Sequence, residues 1–110
     1  MKKSSHIQKI PYIRIGVSDL KKSVSFYQEI LGLEKISEWP TGAIFDIAGV
    51  ALGVELKAKP EICLLVDDVD KAYQNLKDKG AKFVTEPKDQ PWGARNATLV
   101  DPNENTLTIE

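Results

Sequence analysis

Two stretches of this chain are built on one plan: VSDLKKSVSFYQEILGLEKI (residues 17–36) and VDDVDKAYQNLKDKGAKFV (residues 66–84). Each opens on a Val that ends an apolar run, passes an acidic residue, and enters a stretch of apolar and basic residues. Each then closes on Gly before a second apolar run. A repeat of this length means two copies of one small motif, and it points to a function where the copies meet. Placing Val17 on Val66 puts Asp19 on Asp68 and, with a one-residue gap, Gly32 on Gly80.

In the first copy Leu20, Val24, Tyr27 and Leu31 recur at i, i+4, i+7 and i+11, one face of a helix. In the second, Val69, Ala72, Tyr73 and Leu76 do the same. Ser18 or Asp19 caps the first helix and Asp67 or Asp68 the second, because a short acceptor side chain satisfies the free N–H groups of a first turn. Gly32 and Gly80 end them, where positive φ costs least. A strand precedes each helix, YIRIGV and EICLLV. Three short strands follow each, at residues 34–38, 43–47 and 50–56 and at 82–86, 94–100 and 106–110. The turn signals WPTG, EPKDQPWG and DPNEN separate most of them, and only AG parts the two longest strands of the first copy. Each copy therefore reads β-α-β-β-β, an α+β plan in which one helix covers one face of a sheet. The copies span about residues 10–57 and 60–110 of a single domain, after a loose tail over residues 1–9.

Strand alternation assigns the faces. Ile13, Ile15 and Val17 face the helix, as do Val50, Leu52, Val54 and Leu56; Ile62, Leu64 and Val66; and Leu107 and Ile109. The other face holds Tyr12, Arg14, Gly16, Ala51, Gly53, Glu55, Glu61, Cys63, Leu65, Thr106, Thr108 and Glu110. It is polar, small and partly charged, either a solvated sheet surface or the wall of a ligand cavity closed by two curled sheets; the repeat favours the cavity.

Charge excludes other classes. The 110 residues carry 15 basic and 16 acidic side chains, with no basic stripe interleaved with aromatics, so nucleic acid is not indicated. No apolar run is long enough to span a membrane, and the start, MKKSSHIQKI, lacks the apolar core of a signal peptide. The one cysteine, Cys63, makes no internal disulfide and suits a reducing cytoplasm. It reads as a small hydrophobe rather than a nucleophile, which needs a nearby base. His6, the one histidine, falls in the tail as a solvated residue.

IGVSDLKKSVSFYQEILGLE, LLVDDVDKAYQNLKDKGAKFVTEP and PWGARNATLVDPNENTLTIE together resemble the vicinal oxygen chelate superfamily, the group of glyoxalase I, the bleomycin-resistance proteins, the fosfomycin-resistance enzymes and the extradiol dioxygenases. The resemblance runs from Pro11 to Glu110. It implies two βαβββ modules forming an eight-stranded incomplete barrel, a small organic ligand, and a homodimer. In metal-using members four strand positions supply the ligands, usually His, Gln or Glu. They fall here on Tyr12, on Gly53 (or Glu55 after a slip of two), on Glu61 and on Thr108, with Glu110 two residues on. That set holds one good ligand and no imidazole, the usual ligand of Ni, Zn or Fe in such sites. Glu55, Glu61 and Glu110 would suit only a hard cation such as Mg²⁺ or Mn²⁺, with Arg14 partly neutralising them. The pattern resembles the bleomycin-resistance type, which binds ligands without a metal.

The expected ligand-binding residues are therefore Tyr12, Arg14, Trp39, Phe45, Gly53, Glu55, Cys63, Trp92, Arg95 and Thr108, with no metal ligand and no cofactor. Trp39 and Trp92 sit beside Pro in loop-like contexts and offer either stacking surfaces or a cover for the open end of the core. Phe45 has no clear direction from alternation. Arg95 after PWG suits a carboxylate or phosphate, or an ordinary rim ion pair. In DPNEN, Glu104 stands where the family's usual Gly allows positive φ, which predicts a different turn type there. Three functions follow: a metal-free small-molecule-binding protein; a lyase, isomerase or dioxygenase using a divalent metal or a carboxylate base, Glu61 or Glu110, with Tyr12 as hydrogen-bond donor; or a non-catalytic interaction domain.

Overall fold

The computed structural model describes residues 7–110, so His6 lies outside the described residues. The described chain forms ten strands, two α-helices and one π-helical segment. They are β1 (Ile7–Lys9), β2 (Tyr12–Val17), α1 (Leu20–Ser25), the π segment (Phe26–Ile30), β3 (Glu34–Trp39), β4 (Gly42–Ile47) and β5 (Val50–Leu56). Then come β6 (Glu61–Val66), α2 (Val69–Asp78), β7 (Lys82–Phe83), β8 (Lys88–Asp89), β9 (Arg95–Val100) and β10 (Thr106–Ile109). The chain divides into two compact units, Pro11–Glu61 and Ile62–Glu110, the latter with the segment up to Ile10.

In Pro11–Glu61 the sheet order is β3-β4-β5-β2. β3 and β5 pair antiparallel to β4, while β2 lies parallel to β5 with Arg14 opposite Gly53 and Gly16 opposite Glu55. A parallel pair needs a crossover, and α1 with the π segment supplies it. Asp19 caps α1 by accepting from the Lys22 N–H at 3.0 Å. The single continuous helix expected through Leu31 is instead an α-turn that widens at Phe26. The Leu31 N–H reaches the Phe26 carbonyl, an i→i+5 bond, before Gly32 turns the chain at φ 73°. The helix side of the sheet is a core of Val24, Ala43, Phe45 and Val54, with Ile15, Val17, Leu20, Tyr27, Leu33 and Leu52 against it.

The second unit repeats the plan. β6, α2, β7, β9 and β10 follow in that order, and the sheet runs β6-β10-β9-β7. Residue 110 donates to the Leu64 carbonyl and accepts from the Val66 N–H, the parallel pattern. That register sets Thr108 level with Cys63. Asp68 caps α2 through the Lys71 N–H at 3.1 Å, and Gly80 follows at φ 104°. The core is Val66, Ala72, Ala97, Leu99 and Ile109.

Three expectations are corrected here. Residues 7–9 are not part of a loose tail: Ile7–Lys9 pairs antiparallel with β6, with Ile7 opposite Val66 and Lys9 opposite Leu65. The strand expected over residues 82–86 pairs regularly only at Lys82–Phe83. Beyond it the Val84 and Thr85 N–H groups both reach the Thr98 carbonyl, a local bulge. Glu104 does not evade positive φ but adopts it, at 68°. Asp101 holds the loop in place, its carboxylate accepting from the Asn103 and Asn105 N–H groups at 2.8 Å each and from the Asn105 side chain.

Candidate functional site

The face of the Pro11–Glu61 sheet opposite α1 can be written out from its register. Across the strands from β2 to β3, one row holds Arg14, Gly53, Ile44 and Ser37; the next holds Gly16, Glu55, Gly42 and Trp39. In the second row glycine and large residue alternate. Glu55 lies over Gly42 and accepts from the Trp39 indole N–H at 3.0 Å, while its other oxygen accepts from the Thr41 hydroxyl. A Cβ on Gly42 would overlap the Glu55 carboxylate and come within 2.6 Å of the Val54 carbonyl, so that glycine clears the space in which Glu55 and Trp39 meet. Gly16 is fixed differently: the Ala58 carbonyl packs where its Cβ would stand.

The first row has another character. Arg14 Nη2 lies 2.8 Å from Glu61 Oε1, with 44% of the Arg14 side chain and 12% of the Glu61 side chain exposed. Beside it, a Cβ on Gly53 would meet only Arg14 Cγ and the Ile13 carbonyl, both at 3.8 Å, which is ordinary contact. Nothing in the unit requires glycine there.

Tyr12, Arg14, Gly53, Glu55 and Trp39 are thus brought onto one sheet face, with Glu61 on Arg14. Trp39 is the last residue of β3 rather than a loop residue. Phe45 leaves the set: it is fully buried on the helix side, its ring 5.5 Å from that of Tyr27, because strand alternation places it with Ala43 in the core. Thr41 joins the set. The WPTG turn, which sets a hydroxyl beside a strand end, was the available signal.

In the second unit Cys63 and Thr108 lie buried on the face away from α2, at 0% and 2% exposure. Glu110 follows β10 and is held by its backbone. Trp92 is 70% exposed at the tip of a turn closed by the Gly93 N–H on the Gln90 carbonyl. Arg95 is also displaced from the expected site. It shares the alternation of Ala97 and Leu99, toward α2, and grips both oxygens of Asp70 at 2.8 and 2.9 Å and Asp89 at 3.1 Å. The Arg95 bonds hold the Asp70 carboxyl below its ordinary value, and Asp70 and Asp89 push the Arg95 guanidinium higher still. That fork makes Arg95 a clamp on the first turn of α2.

These donors do not fit the metal of the family's metal-using members. Gly53 offers no donor atom, Glu55 is taken up by Trp39 and Thr41, and Glu61 by Arg14. Among the described residues no three His, Cys, Asp or Glu side chains gather as metal ligands. No helix among them is long and apolar enough to cross a membrane.

The repeated βαβββ units, each with a mixed sheet face opposite its helix, define a protein of the glyoxalase fold. The chain belongs to the Glyoxalase/Bleomycin resistance protein/Dioxygenase superfamily, whose family model matches residues 9–109. It is 33% identical to the uncharacterized protein YraH of Bacillus subtilis (strain 168), over 92% of this chain and 96% of that one. It is 24% identical to the metallothiol transferase FosB of Lysinibacillus sphaericus (strain C3-41), over 86% of each. Among solved structures, the Mn(II)-bound glyoxalase of Novosphingobium aromaticivorans superposes with a TM-score of 0.77 at 23% identity. That match covers 96% of this chain and 39% of the glyoxalase, a likeness of fold.

Proposed function

We propose that this protein binds a small organic molecule on the mixed face of the Pro11–Glu61 sheet, without a metal ion. The observation that carries the reading is the commitment of the carboxylates on that face. Glu61 is paired with Arg14 and Glu55 with Trp39 and Thr41, while the position beside them, Gly53, is left without a side chain. A metal centre needs its carboxylates turned toward one point; a ligand face needs a few oriented polar groups and room. A homodimer and a cytoplasmic location belong to the same reading, supported by the family and by a buried Cys63 that is the one cysteine of the sequence.

The test is retention of metal together with a ligand screen. Protein exposed to Mn²⁺, Ni²⁺, Zn²⁺ and Mg²⁺ and then desalted is expected to retain none of them stoichiometrically, while organic compounds raise its melting temperature. Near-stoichiometric retention, lost in Glu61→Gln, would overturn the reading. The catalytic alternative would then lead. In it Glu61 or Glu110 serves as general base and Tyr12 as donor, and the similarity to FosB supports it. A screen in which no compound binds would favour the interaction-domain alternative.

A further inference from the structure

A hollow of about 310 Å³ lies within the Ile62–Glu110 unit, where the second half of α2 faces the chain that enters and leaves β7. Its volume is at the small end of the range for ligand pockets. None of the residues placed on the mixed sheet faces lines it.

The floor is apolar. The Tyr73 and Phe83 rings meet edge to face with centroids 4.6 Å apart, and Ala81 lines the hollow with them. Val84 adds an aliphatic wall that the core does not use, since it is 56% exposed. The bulge after β7 accounts for that wall. The Val84 and Thr85 N–H groups both turn to the Thr98 carbonyl, so regular alternation stops and both side chains border the hollow.

The rim is polar and holds one charge of each sign. Lys77 Nζ lies 5.3 Å from the centroid of the Tyr73 ring and donates to the Tyr73 hydroxyl at 3.3 Å, which stations the ammonium beside the hollow. Glu86 borders the same hollow. Other charges on this protein pair with each other, as Lys35 does with Glu38 and Arg95 with Asp70. Lys77 and Glu86 line one space without pairing across it, and among the described residues neither has another ion-pair partner. The Thr85 hydroxyl oxygen accepts the Thr98 N–H at 2.9 Å, which fixes the oxygen and leaves its O–H to donate.

We propose that this hollow binds a free α-amino acid with an apolar side chain. Its carboxylate meets the Lys77 ammonium and the Thr85 hydroxyl, its ammonium meets the Glu86 carboxylate, and its side chain lies on Ala81, Phe83 and Val84. A simple anion is repelled by Glu86 and a simple amine by Lys77, so the rim selects a molecule that carries both charges. This site is independent of binding at the Pro11–Glu61 sheet.

L-phenylalanine, 3-phenylpropanoate and phenethylamine share one apolar body and carry both charges, the negative alone and the positive alone. Each is titrated into the ¹⁵N-labelled full-length chain while amide resonances are followed. L-phenylalanine is expected to shift the Lys77, Val84, Thr85 and Glu86 amides and to bind roughly fivefold more tightly than either single-charge compound, the upper end for one exposed ion pair. Lys77→Met is expected to remove its advantage over phenethylamine, and Glu86→Gln its advantage over 3-phenylpropanoate, whereas Lys77→Arg keeps both. Lys77 and Glu86 are exposed, so these variants are expected to melt with the wild type. No movement of these amides up to the solubility limit of the amino acid, equal binding of the three compounds, or binding undiminished by Lys77→Met and Glu86→Gln would each overturn the proposal. Tightest binding of 3-phenylpropanoate or of phenethylamine would overturn the amino acid in favour of a singly charged ligand.

Discussion

Glu104→Gly is expected to stabilise the protein, and the magnitude follows from one backbone angle. Glu104 sits at φ 68° in the loop between β9 and β10. For a residue with a Cβ that conformation costs roughly 1–2 kcal/mol. The loop tolerates it because its Asp101 carboxylate accepts the N–H groups on either side, from Asn103 and Asn105. The Glu104 N–H itself bonds the Asp101 carbonyl at 2.9 Å, a bond that glycine keeps. Glycine removes the Cβ cost but gives the unfolded chain more freedom, which returns about 0.5–1 kcal/mol. The net gain is about 0.5–1 kcal/mol. With an unfolding entropy of roughly 2.1 cal/mol/K per residue, this chain gains about 2–4 °C in melting temperature. Calorimetry of wild type and variant at neutral pH measures it, and Glu104→Ala, which keeps the Cβ, should gain nothing. An unchanged or lower melting temperature in Glu104→Gly, or an equal gain in Glu104→Ala, would refute the argument that the angle is strained.

The other expectations concern core, backbone and acid. Phe45→Ala should cost about 3–5 kcal/mol in urea unfolding, the range for an aromatic fully enclosed in a core; a cost under about 1 kcal/mol would contradict its placement against Tyr27. Gly16→Ala should cost about 3 kcal/mol, since the β2 backbone must move off the Ala58 carbonyl, and a melt like that of wild type would falsify that contact. Asp101 and Asp70 are both held below their ordinary value of 3.8, Asp101 by the Asn105 bonds and Asp70 by Arg95. Depressed carboxyls lend stability that is complete above their unfolded pKa and is lost as pH falls through the lower folded one. Melting temperature should therefore drop in strong acid, and Asp101→Asn should flatten that drop; an unaltered acid profile in Asp101→Asn would exclude its contribution.

The strands whose ends are marked by turn chemistry were legible from sequence. Tyr12–Val17, Val50–Leu56 and Glu61–Val66 form as the alternation predicts, because each buries one face and a slip of one residue would expose it. Each N-cap was legible to within one residue, Ser18 or Asp19 and Asp67 or Asp68, since a cap is a local bond between residues three apart; the structure takes Asp19 and Asp68. The misreadings have non-local causes. Arg95 pairs with Asp70, 25 residues away, and no local pattern announces that contact. Phe45 has Ile44 and Asp46 as neighbours, so alternation alone gave it no side until Ala43 and Val54 fixed the core. The widening of α1 at Phe26 leaves no mark in a periodicity that spans both helix types. At the site, the face of Tyr12, Arg14, Gly53 and Glu55 was legible because it follows from parity. The partners of Glu55 depended on how WPTG folds back, which parity does not describe.

The repeat also shows where the two copies have parted. Arg14 opposite Gly53 in the first is matched in the second by Cys63 level with Thr108, since Val17 corresponds to Val66 and both strand pairs are parallel. The contrast is chemical. In the second copy that position is filled by two compact side chains, both buried, and neither bears a charge. In the first it holds a half-exposed guanidinium over a residue with no side chain. The two copies thus keep one backbone plan while the side chains at this register position differ in charge, size and exposure.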